Sequence, residues 1–252
     1  KRTPSLAYPK GGFLNFAQTL VKQIEKKGGK VFFNTDVIGL SSNGKPQVKF
    51  RQTGIHQPTE KIENFDAVIV TLPSFFFFKI TPSLPDSYKR KYSNLKGLGA
   101  INLVLRLRKA FLGDGTYWLS VCDESSPIMA IVDHSNFMDI KNYNNEHLVY
   151  LGNYLPADHK YFNMDKSEIL KIYDPFLRKL NKNYKKDLIG YEAFKVPFAQ
   201  PIIPINYSKM IPPLETPLKN VYLANIQQVY PWDRGTNYAV ELGKKVADLI
   251  NE

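Results

Sequence analysis

The C-terminal stretch, residues 220–252, constrains the fold most strongly. It begins with an apolar segment typical of a strand and continues through a loop containing Trp232 and Pro231. Apolar residues from Val240 onward recur at helical spacing, which predicts an amphipathic helix. Small or capping residues, Gly235 among them, introduce this helix and would let a ligand approach its first N–H groups. The stretch therefore predicts either a ligand-facing strand, loop and helix or merely a terminal unit that closes a sheet.

The N-terminal part of the chain also has the sequence pattern of an α/β protein. A turn containing Gly11 and Gly12 precedes a predicted helix over residues 13–27. We expect a strand pair over residues 30–40, then a hairpin at Asn43-Gly44. We interpret residues 62–72, which are mainly apolar, as one unbroken strand buried in a parallel sheet.

The middle of the chain has a different pattern. Its apolar and polar residues alternate in successive short segments, which predicts an antiparallel sheet. The predicted strands cover residues 100–108, 117–121, 128–132, 147–154 and 189–198. A short helix is expected over 82–92 and a longer one over 166–180, where Asp165 and Glu168 have the spacing of a capping box.

The α/β pattern at the two ends of the chain and the antiparallel pattern in its middle together predict a mixed α/β protein of the α+β class. An incomplete Rossmann-like portion would comprise residues 1–75 and 217–252. Residues 76–216 would form an antiparallel-sheet domain with covering helices that binds substrate. The chain of 252 residues is long enough to bury a sizeable core.

Composition excludes several classes of function. The net charge of +11 suggests an anionic partner, but the lysines are scattered and no nucleic-acid-binding motif accompanies them. The single Cys122 excludes an internal disulfide framework and a cysteine-rich metal site. No apolar run is long enough for a membrane span, and no export signal is present, so a cytoplasmic location is the default expectation. The sequence leaves homo-oligomerisation open.

Motifs for nucleotide, metal or nucleophilic chemistry are absent from the sequence. There is no GxGxxG after a strand, no P-loop, no HExxH and no GxSxG. The histidines, His56, His134, His147 and His159, are scattered singly, so no metal site is predicted. His134 is the strongest candidate for a functional side chain because it ends an apolar strand, where side chains often face a pocket. No catalytic acid or base can be assigned.

Three segments taken together resemble a known family. They are YPKGGFLNFAQTLVKQIEKKGGKVFFNTDV near the start, FDAVIVTLP in the predicted parallel strand, and the C-terminal stretch with its YPWDRGTNYA run. In this order they resemble flavin-dependent amine oxidases and protoporphyrinogen-oxidase-like proteins. The resemblance extends over nearly the whole chain, and its C-terminal motif is the most specific part.

The resemblance implies an FAD site. The residues that would contact the cofactor are Val37, Thr71, Pro73, Asn225, Asp233, Arg234, Gly235, Thr236 and Asn237. Val37 would contact the adenosine part through its backbone, and the amides that begin the last helix would face the flavin ring. The antiparallel sheet would then carry the substrate site, with candidate residues Tyr117, Trp118, His134, Asn153, Tyr154 and Gln200.

One departure from the family shapes the functional expectation. The glycine-rich FAD fingerprint of these proteins precedes the first of the three segments, and this chain does not contain it. We therefore expect a portion of a hydride-transferring oxidoreductase that is inactive and retains little FAD by itself. The parent protein would act on a small molecule.

Two alternatives stay open from the sequence. A flavin-dependent sugar mutase-like or desaturase-like relative would share the scaffold, since fold does not determine function. A basic pocket would favour a nucleotide sugar, and a long aromatic tunnel would favour an isoprenoid. The other alternative is a non-catalytic module that binds an anionic partner through aromatic and basic residues.

Overall fold

The computed structural model describes residues 8–54 and 59–251, so His56 lies outside the described residues. The described chain forms six α-helices: α1 Gly12–Lys26, α2 Ser74–Ile80, α3 Asp86–Tyr92, α4 Lys166–Leu180, α5 Tyr184–Asp187 and α6 Thr236–Asn251. Helices and antiparallel sheets together give the mixed α+β fold that the sequence predicts.

The strands form three separate sheets. They are β1 Thr35–Ser42, β2 Pro46–Gln52, β3 Glu60–Asn64, β4 Val68–Val70, β5 Gly97–Leu107, β6 Trp118–Ser120, β7 Ala130–Asp133, β8 His147–Leu155, β9 Leu188–Pro201 and β10 Val221–Leu223. Strands β1 to β3 form an antiparallel sheet in sequence order, and β4 pairs with β10. The largest sheet has the order β6-β7-β8-β5-β9 and is antiparallel throughout.

The main hydrophobic core lies between the five-stranded sheet and α4. Alternate residues of β5, from Ile101 to Leu107, are buried on the face that α4 covers. From α4, Ile169, Tyr173 and Leu177 pack into the same cluster. The alternation of β5 and the helical spacing of α4 therefore direct their apolar side chains to one shared interior.

Helix α4 confirms both its predicted bounds and its predicted cap. The Asp165 carboxylate accepts hydrogen bonds from the backbone N–H groups of Ser167 and Glu168. The Glu168 carboxylate in turn accepts one from the Asp165 N–H at 2.7 Å. This reciprocal pairing satisfies N–H groups that have no partner within the helix.

The prediction of one strand over residues 62–72 is wrong. The segment divides into β3, which is exposed and pairs antiparallel with β2, and β4, which pairs parallel with β10. Its apolar composition concealed a change of sheet at residues 65–67. The expected strand pair over 30–40 is also wrong, because this stretch contains one strand, β1, which begins at Thr35.

A second, smaller core surrounds β4 and β10. Phe77 of α2 is completely buried there beside Val70 and Leu223. Neither α1 nor α6 contributes much to any core: α1 has no buried residue, and in α6 only Val246 is buried. The division into residues 1–75 with 217–252 and residues 76–216 stays a prediction. None of the helices in the described ranges has the length and apolarity needed to span a membrane.

Candidate functional site

The first part of the site is built on the parallel pair β4–β10. Val221 pairs with Val68 and Leu223 with Val70, and the Ala224 N–H donates to the Val70 carbonyl at 2.9 Å. Because the two strands are parallel, the segments that follow them leave the sheet at the same edge. Loops that follow carboxyl ends of parallel strands are the usual location of ligand sites in α/β proteins.

Buried side-chain amides hold these loops in place. The Asn225 amide donates to the Leu72 carbonyl at 2.8 Å. The Gln227 carbonyl oxygen accepts from the Ser74 N–H at 2.8 Å and the Ser74 hydroxyl at 2.7 Å, and its amide donates to the Leu95 carbonyl. Asn225 and Gln227 are both buried. The loop after β10 is therefore anchored to the segment after β4 by interior hydrogen bonds, which are costly to break.

A cavity of about 700 Å³ opens between this edge and α6. Five of the predicted cofactor residues line it: Thr71, Asn225, Arg234, Gly235 and Thr236. The remaining wall is mostly apolar and includes Leu242 and Val246. We call this space the helix-end cavity, because the N-terminus of α6 forms one side of it.

The other predicted cofactor residues lie around it. Val37 lines a neighbouring cavity of about 810 Å³ that also includes Thr71. Pro73 is the residue before α2, and the exposed Asp233 carboxylate accepts a hydrogen bond from the Arg234 N–H at 2.8 Å. The Asn237 side chain oxygen lies 2.6 Å from the position a Cβ on Gly235 would occupy. Their contacts with a cofactor stay predictions.

The second part of the site lies on the open face of the five-stranded sheet. A cavity of about 420 Å³ is lined by five of the six predicted substrate residues: Tyr117, Trp118, His134, Asn153 and Tyr154. Gln200 does not line it and lies on β9 opposite Leu98. We call this space the aromatic cavity. Its lining contains no Lys, Arg, Asp or Glu among the residues that the structure describes.

The structure adds tyrosines that the sequence did not single out. The rings of Tyr8 and Tyr150 lie edge-on to the His134 ring at centroid distances of 4.9 Å and 5.5 Å. The Tyr143 hydroxyl lies 2.7 Å from Nε2 of His134. Tyr150 shares a strand face with Tyr154, so the alternation of β8 could have identified it. Tyr8 and Tyr143 reach His134 only through the tertiary fold.

Burial controls the protonation of this cluster. Burial lowers the pKa of His134, and burial followed by the neighbouring Tyr8 raises the pKa of Tyr143 to about 12. Burial likewise raises the pKa of Tyr150. The imidazole is therefore neutral and the phenols are protonated at neutral pH. Nε2 of His134 and the Tyr143 hydroxyl therefore form a hydrogen bond between two neutral groups, and the imidazole tautomer decides which of them donates.

Buried polar groups fix the end of β7 that carries His134. The carboxylate of Asp133 accepts hydrogen bonds from the N–H groups of Phe111 and Leu112, both at 2.8 Å. The Asn153 amide donates to the Pro127 carbonyl at 2.7 Å. These contacts secure the strand ends, so His134 and Asn153 are held by the sheet. No cluster of metal-ligating side chains occurs in residues 8–54 and 59–251.

A match to a known protein family identifies the class to which the chain belongs. The sequence matches the family described as flavin containing amine oxidoreductase over residues 1–251. The chain belongs to this family, which confirms the resemblance inferred from its motifs. No curated protein matches it.

Solved structures share the fold at low sequence identity. An oxidoreductase from Methanosarcina mazei matches with a TM-score of 0.68 and 16% identity, covering 97% of this chain and 55% of its own. A reduced UDP-galactopyranose mutase matches with a TM-score of 0.74 and 13% identity, covering 97% and 53%. Putrescine oxidase bound to putrescine matches with a TM-score of 0.68 and 15% identity, covering 96% and 53%. The chain therefore spans about half the length of these proteins.

The chemistry of the helix-end cavity fits one side of a flavin. Thr71 and Thr236 offer side-chain hydroxyl groups around its apolar wall. Gly235 presents backbone without a side chain at the start of α6. One amide is already engaged: Asn225 donates to Leu72 and accepts from the Gln227 N–H. Its hydrogen bonds therefore position the loop.

Proposed function

We propose that this chain forms the flavin-facing and substrate-binding part of an FAD-dependent oxidoreductase that transfers a hydride from a small molecule to FAD. The observation that carries the proposal is the adjacency of the two cavities. Arg234 lines the helix-end cavity, and its guanidinium contacts Tyr154, which lines the aromatic cavity. A cofactor in one cavity and a substrate in the other would be neighbours.

Each element then has a defined task. When bound, FAD supplies the two-electron acceptor. The N-terminus of α6, with Gly235 and Thr236, would stabilise negative charge that develops beside it, because the helix dipole is positive there. The aromatic cavity would orient the substrate and exclude water. If the substrate must lose a proton, Nε2 of His134, beside the Tyr143 hydroxyl, would be the group to accept it. His134 is therefore the first residue to test.

The lining of the aromatic cavity favours an oxidoreductase over a sugar mutase. Recognition of the diphosphate of a nucleotide sugar relies on cationic donors such as Arg or Lys. No described residue that lines this cavity is cationic, although Arg234 lies behind Tyr154. The same lack of cations disfavours a module for an anionic partner, and the cavity volume of about 420 Å³ is modest for a long isoprenoid.

The exposed apolar surfaces support the proposal that this portion retains little FAD and is inactive by itself. The parallel sheet has two strands, and residues of α1 such as Phe13 and Leu14 are largely exposed. A cofactor held only by the helix-end cavity would lack a second wall. A cytoplasmic location and self-association remain predictions.

Flavin retention by the full-length product of the gene tests this proposal. We expect the purified protein to show the visible absorbance of oxidised flavin, bleached by substrate under anaerobic conditions. Gly235→Val should weaken FAD retention by about tenfold or more, because a side chain would obstruct close approach at the helix start. Gly113→Val is the matched control, since a Cβ on Gly113 meets nothing within 4 Å.

The two levels of the proposal fail separately. A folded full-length protein without flavin would refute the function. Normal FAD retention by Gly235→Val would refute only the role assigned to that residue. The expected fold of the variant is native, because the group that the new Cβ would meet is the far end of the Asn237 side chain.

A further inference from the structure

A single arginine connects the two cavities. Arg234 belongs to the loop that leads into α6, and its guanidinium donates a hydrogen bond to the hydroxyl of Tyr154 on β8. The same guanidinium lies over the Tyr154 ring, 5.0 Å from its centroid. A cation stacked on an aromatic ring and bonded to its hydroxyl is a directional contact with two components. It joins segments that are 80 residues apart in the chain.

The surroundings of Arg234 make this contact its principal one. The side chain is only 33% exposed, whereas the neighbouring Asp233 is 77% exposed and its Oδ1 lies 3.6 Å from the guanidinium. An exposed carboxylate at that distance contributes little. The guanidinium remains charged despite its burial. The ring and hydroxyl of Tyr154 therefore provide most of its stabilisation.

Few other contacts hold the loop against the sheet. Among the hydrogen bonds of the described residues, the one from Arg234 to Tyr154 is the bond that links residues 231–235 to the five-stranded sheet. Trp232 stacks on Tyr238 within its own segment and is 62% exposed. The hydrogen bonding that attaches this loop to the sheet therefore depends on one residue among those described.

We propose that Arg234 is a positioning residue that fixes the start of α6 against the wall of the aromatic cavity. Through it, the backbone at Gly235 and Thr236 keeps a set orientation toward the substrate face. The two cavities are thereby coupled: a ligand that displaces or orders Tyr154 changes the order of the helix start. Its meaning for catalysis rests on the proposed function, whereas the contact itself can be tested without a cofactor.

Hydrogen exchange of the cofactor-free protein, followed by mass spectrometry, tests the coupling. In Tyr154→Leu, peptides that cover residues 230–238 should exchange about tenfold faster, because both components of the contact are lost. Tyr154→Phe should give a smaller increase, since it keeps the ring and loses only the hydroxyl. Tyr150→Leu is the matched control on the same strand face and should leave the exchange of this loop unchanged.

Variants at the other end of the contact complete the test. Arg234→Gln should accelerate the exchange of residues 230–238 as much as Tyr154→Leu does. Arg234→Lys should keep the exchange rate within about twofold of the wild type, because it keeps a cation over the ring. The double variant Arg234→Gln with Tyr154→Leu should exchange no faster than either single variant.

Unchanged loop exchange in Tyr154→Leu and Arg234→Gln overturns the proposal, and so do additive effects in the double variant. Tyr154→Phe and Arg234→Lys are mild changes that keep the test valid if a harsher variant fails to fold. Because no cofactor is present, a failure here is distinct from the absence of flavin in the full-length protein.

Discussion

Two helices of equal length behave in opposite ways. Helices α1 and α4 each have 15 residues and one apolar face. Helix α4 buries Ile169, Leu170, Tyr173 and Leu177 against the five-stranded sheet, whereas α1 buries none of its residues. Amphipathicity alone therefore does not produce a core, because the apolar face must also meet another surface.

The contrast extends to the regions that contain the two helices. The five-stranded sheet and α4 close a continuous hydrophobic core. The parallel pair β4–β10 has a smaller core and relies on buried amides such as Gln227 to hold its loops. The region of the five-stranded sheet is thus organised by apolar packing, and the region of β4–β10 combines a smaller apolar core with buried hydrogen bonds.

The largest expected effect comes from truncating a buried leucine of α4, and the same change on α1 is its control. Leu177→Ala should lower the free energy of unfolding by about 3 kcal/mol, because it leaves a cavity in a closed core. Leu20→Ala should change it by less than about 0.5 kcal/mol, since that side chain is exposed on α1. Urea unfolding monitored by circular dichroism measures both. If both variants lost the same free energy of unfolding, α1 would be packed in solution and would not differ from α4.

A smaller effect is expected from truncating Gln227, whose side chain anchors the loops of the β4–β10 pair. Gln227→Ala should cost about 2 kcal/mol, because it leaves the Ser74 N–H and hydroxyl without their buried acceptor. Gln23→Ala, on the exposed surface of α1, is the control and should be close to neutral. The same unfolding assay applies. If the Gln227 variant were as stable as the control, hydrogen bonds would not be what holds this region.

The smallest effect concerns pH. The pKa of His134 is lowered by burial, so the unfolded chain binds a proton at a higher pH than the folded chain does. Stability should therefore fall as the pH drops below about 6.5, until the folded-state pKa is reached. His134→Gln should remove this component. Tyr143 and Tyr150, which face the ring, stay protonated throughout this range because burial raises the pKa of both phenols.

Stability profiles between about pH 5 and about pH 7 check this prediction. The wild-type profile should be steeper than that of His134→Gln. Identical slopes would mean that the imidazole is as accessible to protons in the folded protein as in the unfolded chain. Burial would then not lower the pKa of His134 in the folded protein.

Local patterns in the sequence determined much of this protein. The bounds of α4 and its capping box at Asp165 follow from residues three or four positions apart, so no distant contact was needed. The alternating strands of the five-stranded sheet were recognisable for the same reason. Five of the six predicted substrate residues line one cavity because β6, β7 and β8 lie side by side in one sheet. Their roles in binding remain predictions.

Only the tertiary structure decided the pairings between distant segments. The division of residues 62–72 into β3 and β4 depends on their partners: β3 pairs with β2, and β4 pairs with β10, more than 150 residues away in the chain. Composition cannot show such a change of sheet. Likewise, Tyr8 and Tyr143 reach His134, and Arg234 reaches Tyr154, through folding alone. Periodicity tells which face of an element is apolar, and only the packed chain shows what that face contacts.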